Sequence, residues 1–124
     1  MGDLSDHFSK VELQCDCGCG FGTNDGDVDP NLILLLEGIR MEINKPVRIT
    51  SGCRCQKHNA DVGGVPNSAH TRGTAADIYV SGGYHRWQVM EAAVVIEAHG
   101  IGIAKTFVHV DVDEVLPRPS AWSY

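Results

Sequence analysis

No stretch of this 124-residue chain approaches the run of about 18 apolar residues that a membrane span needs. Basic residues are few, with 10 Lys and Arg against 16 Asp and Glu, a formal net charge of −6 and no Lys/Arg run. That balance excludes a nucleic-acid groove, because phosphates need clustered cations. The opening residues MGDLSDHF lack the basic and apolar regions of a secretory leader, so synthesis and retention in the cytosol are expected unless another agent exports the chain. The C-x₂-C knuckle of common zinc sites is missing too. The five cysteines fall instead as Cys15, Cys17 and Cys19 in CDCGCG and as Cys53 and Cys55 in SGCRCQKH. An odd count without a leader is poor evidence for a disulfide framework. Small thiols pinning a glycine-rich loop, a structural bridge and a metal held between the two clusters all stay open.

The length predicts one domain over residues 1–124. A content of 43% hydrophobic residues can fill an ordinary core, and 14 glycines predict a loop-rich fold rather than a bundle. Residues 1–29 read as an irregular Cys- and Gly-rich segment. Asp29-Pro30 then has the form of an N-cap with proline at the first helical position. Leu32, Leu35, Leu36, Ile39 and Ile43 follow at helical spacing, which predicts an amphipathic helix over 30–44.

Val47 to Thr50 reads as a strand, and residues 52–69 as a long loop of the kind that usually carries function. A second strand is predicted over Ala75 to Val80, and a helix over 84–99 with Gly100 as its C-cap. In FVHVDV, Val108, Val110 and Val112 share one face while Phe107, His109 and Asp111 share the other. The final LPRPSAWSY is expected to be irregular, with Trp122 folding back onto the core. The order of helix, strand, strand, helix, strand predicts a small α+β domain with a mainly antiparallel sheet.

A carboxylate at Asp77, among Ala75, Ala76, Ile78 and Val80, is costly to bury without a partner. His70 precedes that strand and His109 lies on the polar face of a later one. Two imidazoles and one carboxylate are the ligand set of a catalytic zinc ion, which leaves a fourth position for water. The same His109-x-Asp111 could open the facial triad of a non-haem iron oxygenase. That pattern needs a distal histidine, and none follows His109.

From Phe8 onward the chain resembles the zinc D-Ala-D-Ala carboxypeptidase family, in its compact bacterial and phage branch of cell-wall peptidases. The segments that carry the resemblance are HFSKVELQCDCGCG, PVRITSGCRC, HNADVGGVPNSAHTRGTAADI and GIGIAKTFVHVDV. Their core is S-x-H-x₆-D (Ser68, His70, Asp77) followed by H-x-D (His109, Asp111). The resemblance implies the small α+β fold shared with the hedgehog signalling domain. It also implies His70, Asp77 and His109 as ligands of Zn²⁺, and Arg54 as the arginine that receives a substrate carboxylate. A guanidinium fork suits that task. Ser68 is expected to support the site as a substrate-binding residue, with shaping of the turn as the alternative, whereas His58 and Asn59 are expected to hold the long loop together.

Asp111, two residues from His109 on the same face, is a candidate for orienting a ligand, for binding Arg54 or substrate, or for acting as general base. Several relatives place an acidic base three or six residues before the last histidine, where this chain has Thr106 and Ile103. Either a base then comes from Asp111, Glu114 or His99, or catalysis leans on zinc-bound hydroxide alone. The implied function is zinc-dependent hydrolysis of peptidoglycan stem peptides, as a D,D-carboxypeptidase or an endopeptidase of the phage or prophage lysin type. A monomer is expected, acting on the cell wall after export or release. The alternative is a non-catalytic, zinc-stabilised binding or structural module, for example of a phage particle.

Overall fold

The structure, a computed structural model, describes residues 2–124. Helix α1 (Lys10–Leu13) is followed by α2 (Pro30–Ile43), strand β1 (Ile49–Ser51) and helix α3 (Gln56–Asp61). A 3₁₀ turn over Ala69–Arg72 leads into β2 (Ala75–Tyr79) and then α4 (Gly83–Val95). Strands β3 (Gly100–Ile103), β4 (Phe107–Asp111) and β5 (Ser120–Ser123) complete one sheet of order β1-β2-β4-β3-β5. The pairs β1–β2, β2–β4 and β3–β4 are antiparallel, and β3–β5 is parallel. This is the expected α+β class with a mainly antiparallel sheet. Among the described residues no helix is long and apolar enough to cross a membrane.

The start of α2 follows from its sequence: the Asp29 side chain accepts a hydrogen bond from the Asn31 N–H, and Pro30 occupies the first turn. Its buried stripe of Leu32, Leu35, Leu36, Ile39 and Ile43 packs with Val89, Ala92 and Ala93 of α4 into one core. The sheet contributes Ala76, Ile78, Ile101, Val108 and Val110 from its helix-facing side. Alternation then sends Asp77, His109 and Asp111 to the other side.

Several expected boundaries move. Helix α4 ends at Val95, and Glu97 takes the left-handed conformation at φ 66°, so Gly100 opens β3 instead of capping a helix. The segment 52–69 contains α3 and the start of the 3₁₀ turn, the first 29 residues contain α1, and the C-terminal stretch contains β5. Strand β1 starts two residues later than expected. Trp122 does not join the apolar core; it lies over the opposite face of the sheet, with its ring 5.0 Å from that of His109.

Candidate metal centre

One row of residues crosses all five strands. Ser51 pairs with Asp77, Asp77 with His109, His109 with Gly102 and Gly102 with Trp122. Directly opposed residues of paired strands point to the same face, so Asp77 and His109 meet side by side. Gly102 leaves the space that Trp122 fills, since a Cβ there would come 2.5 Å from the indole Nε1.

His70 arrives from outside the sheet on the 3₁₀ turn. The Ser68 hydroxyl caps that turn by accepting the His70 N–H at 3.2 Å. Gly73, at φ 69°, then reverses the chain into β2.

The hydrogen bonds of the two imidazoles fix which nitrogen is free. His70 Nδ1 lies 2.7 Å from the Gly52 carbonyl, which can only accept, so Nδ1 carries the proton and Nε2 offers a lone pair. His109 Nε2 donates to Asp111 Oδ2 at 2.7 Å, which leaves Nδ1 as the lone-pair atom. Both free nitrogens converge on Asp77 Oδ1, at 3.3 Å from His70 and 3.4 Å from His109. Asp77 Oδ1 and His109 Nδ1 are buried with no hydrogen-bond partner.

Three acceptor atoms pointed at one another are unfavourable unless a cation lies between them. Donors around a tetrahedral zinc ion with bonds of about 2.0–2.1 Å stand roughly 3.3 Å apart, close to the spacing found. The residues therefore fit a zinc ion through chemistry and distance alike. The structure thus brings together the three expected ligands, all buried, with donor atoms within 4.8 Å of one another.

Electrostatics reinforce the arrangement. Burial pushes the Asp77 carboxyl up, but the His109 and His70 imidazoles outweigh it and hold the group well below the usual carboxylate range. Asp111 is fully buried, and its bonds to His109 and Arg118 overcome the same desolvation to bring it to about 2. Arg118 grips both its oxygens, Nε to Oδ1 at 3.1 Å and Nη2 to Oδ2 at 2.8 Å. His109 titrates above the ordinary imidazole range: burial lowers it, but Asp111 and Asp77 outweigh that, so a metal ion at Nδ1 would have to displace a proton. Sequence reasoning missed Arg118. It sits in the irregular PRP stretch, where neither periodicity nor spacing marks a side chain that reaches back to β4.

Arg54 is placed beside the three donors. Its Nη2 reaches Asp77 Oδ2 at 3.4 Å, its Nη1 donates to Asn59 Oδ1 at 2.9 Å, and its Nε donates to Ser51 Oγ at 3.1 Å. The Arg54 N–H also bonds the His70 carbonyl at 3.0 Å. Asn59 ties the loop as well, by donating to the Val65 carbonyl at 2.9 Å. Gly64 packs against this clamp, where a Cβ would overlap Asn59 and come 2.8 Å from Arg54 Nη1. Arg54 binds Asp77, and Asp111 binds Arg118; these two expected partners do not meet.

A cavity of about 670 Å³ opens above the site. Its wall includes Arg54, His58, Ser68, Trp122, Tyr124 and Asp16, and its floor includes all three donors. His99 and Glu114, two candidate bases, line a neighbouring cavity with Asp113 instead. Ile103 lies on β3, and Thr106 in the turn before β4.

A family model described as Peptidase M15 matches residues 6–111, which include every donor and Arg54 but stop before Arg118 and β5. No curated protein matches the chain.

Proposed function

The chain belongs to the Peptidase M15 family, whose members are metal-dependent peptidases that typically use zinc, and on that premise we propose that it hydrolyses a peptide bond in peptidoglycan stem peptides with Zn²⁺ held by His70, Asp77 and His109. The observation that carries this reading is the convergence of three buried lone-pair donors, two of them with unpartnered atoms, on the floor of an open cavity. A zinc ion there would supply Lewis acidity toward a carbonyl and a water of lowered pKa.

The chain's own groups divide the remaining work. Three of the five guanidinium N–H donors of Arg54 are taken by Ser51, Asn59 and Asp77, which leaves two for a substrate carboxylate. Because the other bonds hold the guanidinium in place, little entropy is lost when a carboxylate docks. Ser68 holds His70 through its backbone and also lines the cavity, where it can meet substrate.

Asp111 orients His109 and fixes its tautomer; it is not the proton acceptor in this reading. Its oxygens are occupied by His109, Arg118 and the Asp113 N–H, and no part of it is exposed. The cavity-lining groups left to accept a proton are His58 and Asp16. The reading includes D,D-carboxypeptidase and endopeptidase action, by a monomer of lysin type reaching the wall after export or release.

The absence of an acidic residue at positions 103 and 106 favours one other reading, a zinc-stabilised module that binds wall peptides without cutting them. Mass spectrometry of purified muropeptides, incubated with the zinc-loaded protein with and without a chelator, separates the two. Chelator-sensitive loss of a terminal D-Ala identifies a carboxypeptidase, and an internal cut identifies an endopeptidase. Intact muropeptides across several wall chemotypes would overturn hydrolysis and leave the binding module.

A further inference from the structure

A second group of metal-binding side chains lies outside the centre described above. Cys15, Cys17 and Cys19, on the glycine-rich loop after α1, meet Cys55 from the segment between β1 and α3. Their sulfurs all lie within 4.8 Å of one another. Cys15 Sγ is 3.4 Å from Cys17 Sγ and 4.0 Å from Cys55 Sγ, and Cys17 Sγ is 3.6 Å from Cys55 Sγ. Four thiolates around a tetrahedral zinc ion with Zn–S bonds of about 2.3 Å stand roughly 3.8 Å apart, a value inside the range of these spacings. Cys53, two residues from Cys55, points into the apolar core and takes no part.

We propose that Cys15, Cys17, Cys19 and Cys55 form a structural Zn²⁺ site, separate from the His70–Asp77–His109 centre.

Backbone geometry favours this over four independent thiols. Two backbone N–H groups already point at the sulfurs: Cys55 N–H donates to Cys15 Sγ at 3.4 Å and His58 N–H to Cys55 Sγ at 3.3 Å. Such donors stabilise thiolate charge and orient metal ligands. Gly18 and Gly20, at φ 79° and 96°, turn the chain so that alternate cysteines face the same point. The loop is fastened before and after by Cys53 N–H to the Leu13 carbonyl at 2.7 Å and Cys15 N–H to the Phe21 carbonyl at 2.8 Å. No water-accessible ligand position is needed, because four protein donors complete a closed tetrahedron, as in structural zinc sites. On binding, zinc replaces the thiol protons, which pass to solvent.

The consequence is mechanical. Cys55 directly follows Arg54 and is the N-cap of α3, which carries Asn59. Zinc at the four sulfurs therefore clamps the N-terminal segment to the loop that holds Arg54. The glycine-rich loop after α1, which has no helix or strand of its own, becomes part of the cavity wall, where Asp16 sits between two of the cysteines.

Zinc content distinguishes this site from the peptidase centre without reading activity. Wild-type protein, purified under reducing conditions and equilibrated with Zn²⁺, should carry two zinc ions per chain. His70→Ala and Asp77→Asn should each retain one. Cys17→Ser, at an exposed position, should also retain one, and the Cys17→Ser, His70→Ala double variant should retain none. Titration of His70→Ala with an organomercurial should release one zinc per chain as the thiols react. Loading that variant with Co²⁺ should give thiolate-to-cobalt charge-transfer absorption. A folded His70→Ala and Asp77→Asn that bind no zinc would overturn the site. So would Co²⁺ binding without that absorption, or alkylation masses showing the four cysteines joined as disulfides.

Discussion

Arg118 donates to both carboxylate oxygens of Asp111, and Asp111 in turn accepts from the imidazole of His109. Residues from the turn before β5 thereby fix the tautomer of a donor on β4. Truncation to Arg118→Ala would leave a fully buried carboxylate with one partner fewer. The expected loss is about 3 kcal/mol, the scale of a broken buried pair. Zinc affinity should fall roughly 10-fold as His109 loses its support. Arg118→Lys should restore only part of both, because an ammonium cannot make the paired contact. Denaturant midpoints and chelator competition read the two effects; unchanged values would mean that Arg118 does not hold the site.

Gly100 stands where β3 passes Asp111. A Cβ at this position would overlap the Asp111 carboxylate and come 2.6 Å from Arg118 Nε. Gly100→Ala should therefore destabilise the fold by about 1–3 kcal/mol, as overpacking does. Its zinc affinity should fall along with that of Arg118→Ala. Thermal unfolding at matched zinc concentration checks this, and a neutral Gly100→Ala would show that the pair can shift freely.

Arg54→Ala should keep the zinc of the His/Asp/His centre while weakening use of substrates with a free carboxylate. Loss of a charge-assisted hydrogen bond is worth about 1.5–3 kcal/mol, or roughly 10- to 150-fold in kcat/KM. Steady-state kinetics on a defined muropeptide, beside metal analysis of the same sample, test the separation. Equal kinetics for wild type and variant would remove Arg54 from substrate binding.

Asp113 is a buried carboxylate that accepts from Arg72 Nε at 2.8 Å and Nη2 at 3.0 Å, from Thr74 Oγ1, and from the N–H groups of Val115 and Leu116. Burial raises its pKa, but these bonds, led by Arg72, bring it well below the usual carboxylate range. A carboxyl depressed in the folded state adds stability above its unfolded value of about 3.9, and that stability is lost as pH falls toward the folded value. Wild-type protein should therefore lose stability steeply below about pH 4. Asp113→Asn should be less stable at pH 7 and show a shallower acid slope. Urea unfolding across that range tests it, and parallel curves for the two proteins would exclude Asp113 as a source of the slope.

Much of the fold was legible because local signals agreed with the final packing. The N-cap Asp29, Pro30 and the leucine stripe specify α2 almost residue for residue, since a helix answers to its own spacing. The strands β2 and β4 were also readable, with Ala76 and Ile78 of one and Val108 and Val110 of the other at alternate positions facing the core. The chemistry of His70, Asp77 and His109 was visible as a donor set.

Strand β3 was hidden because its glycines at positions 100 and 102 disfavour strand formation. They are required there only because Asp111, Arg118 and Trp122 occupy the space that side chains would fill. Strand β5 was hidden because Pro117 and Pro119 stand just before it and its mostly exposed residues give no alternation; its parallel pairing with β3 supplies the order.

The sequence by itself determined the core stripe, the strand alternation and the presence of the candidate metal-binding side chains, because each depends on neighbours a few positions away. Only the tertiary structure decided which imidazole nitrogen is free, that Arg118 rather than Arg54 holds Asp111, and that three cysteines of one loop meet Cys55 while Cys53 does not. Those outcomes depend on sheet register and chain reversals that join residues up to 40 positions apart. No local spacing encodes a meeting of that kind.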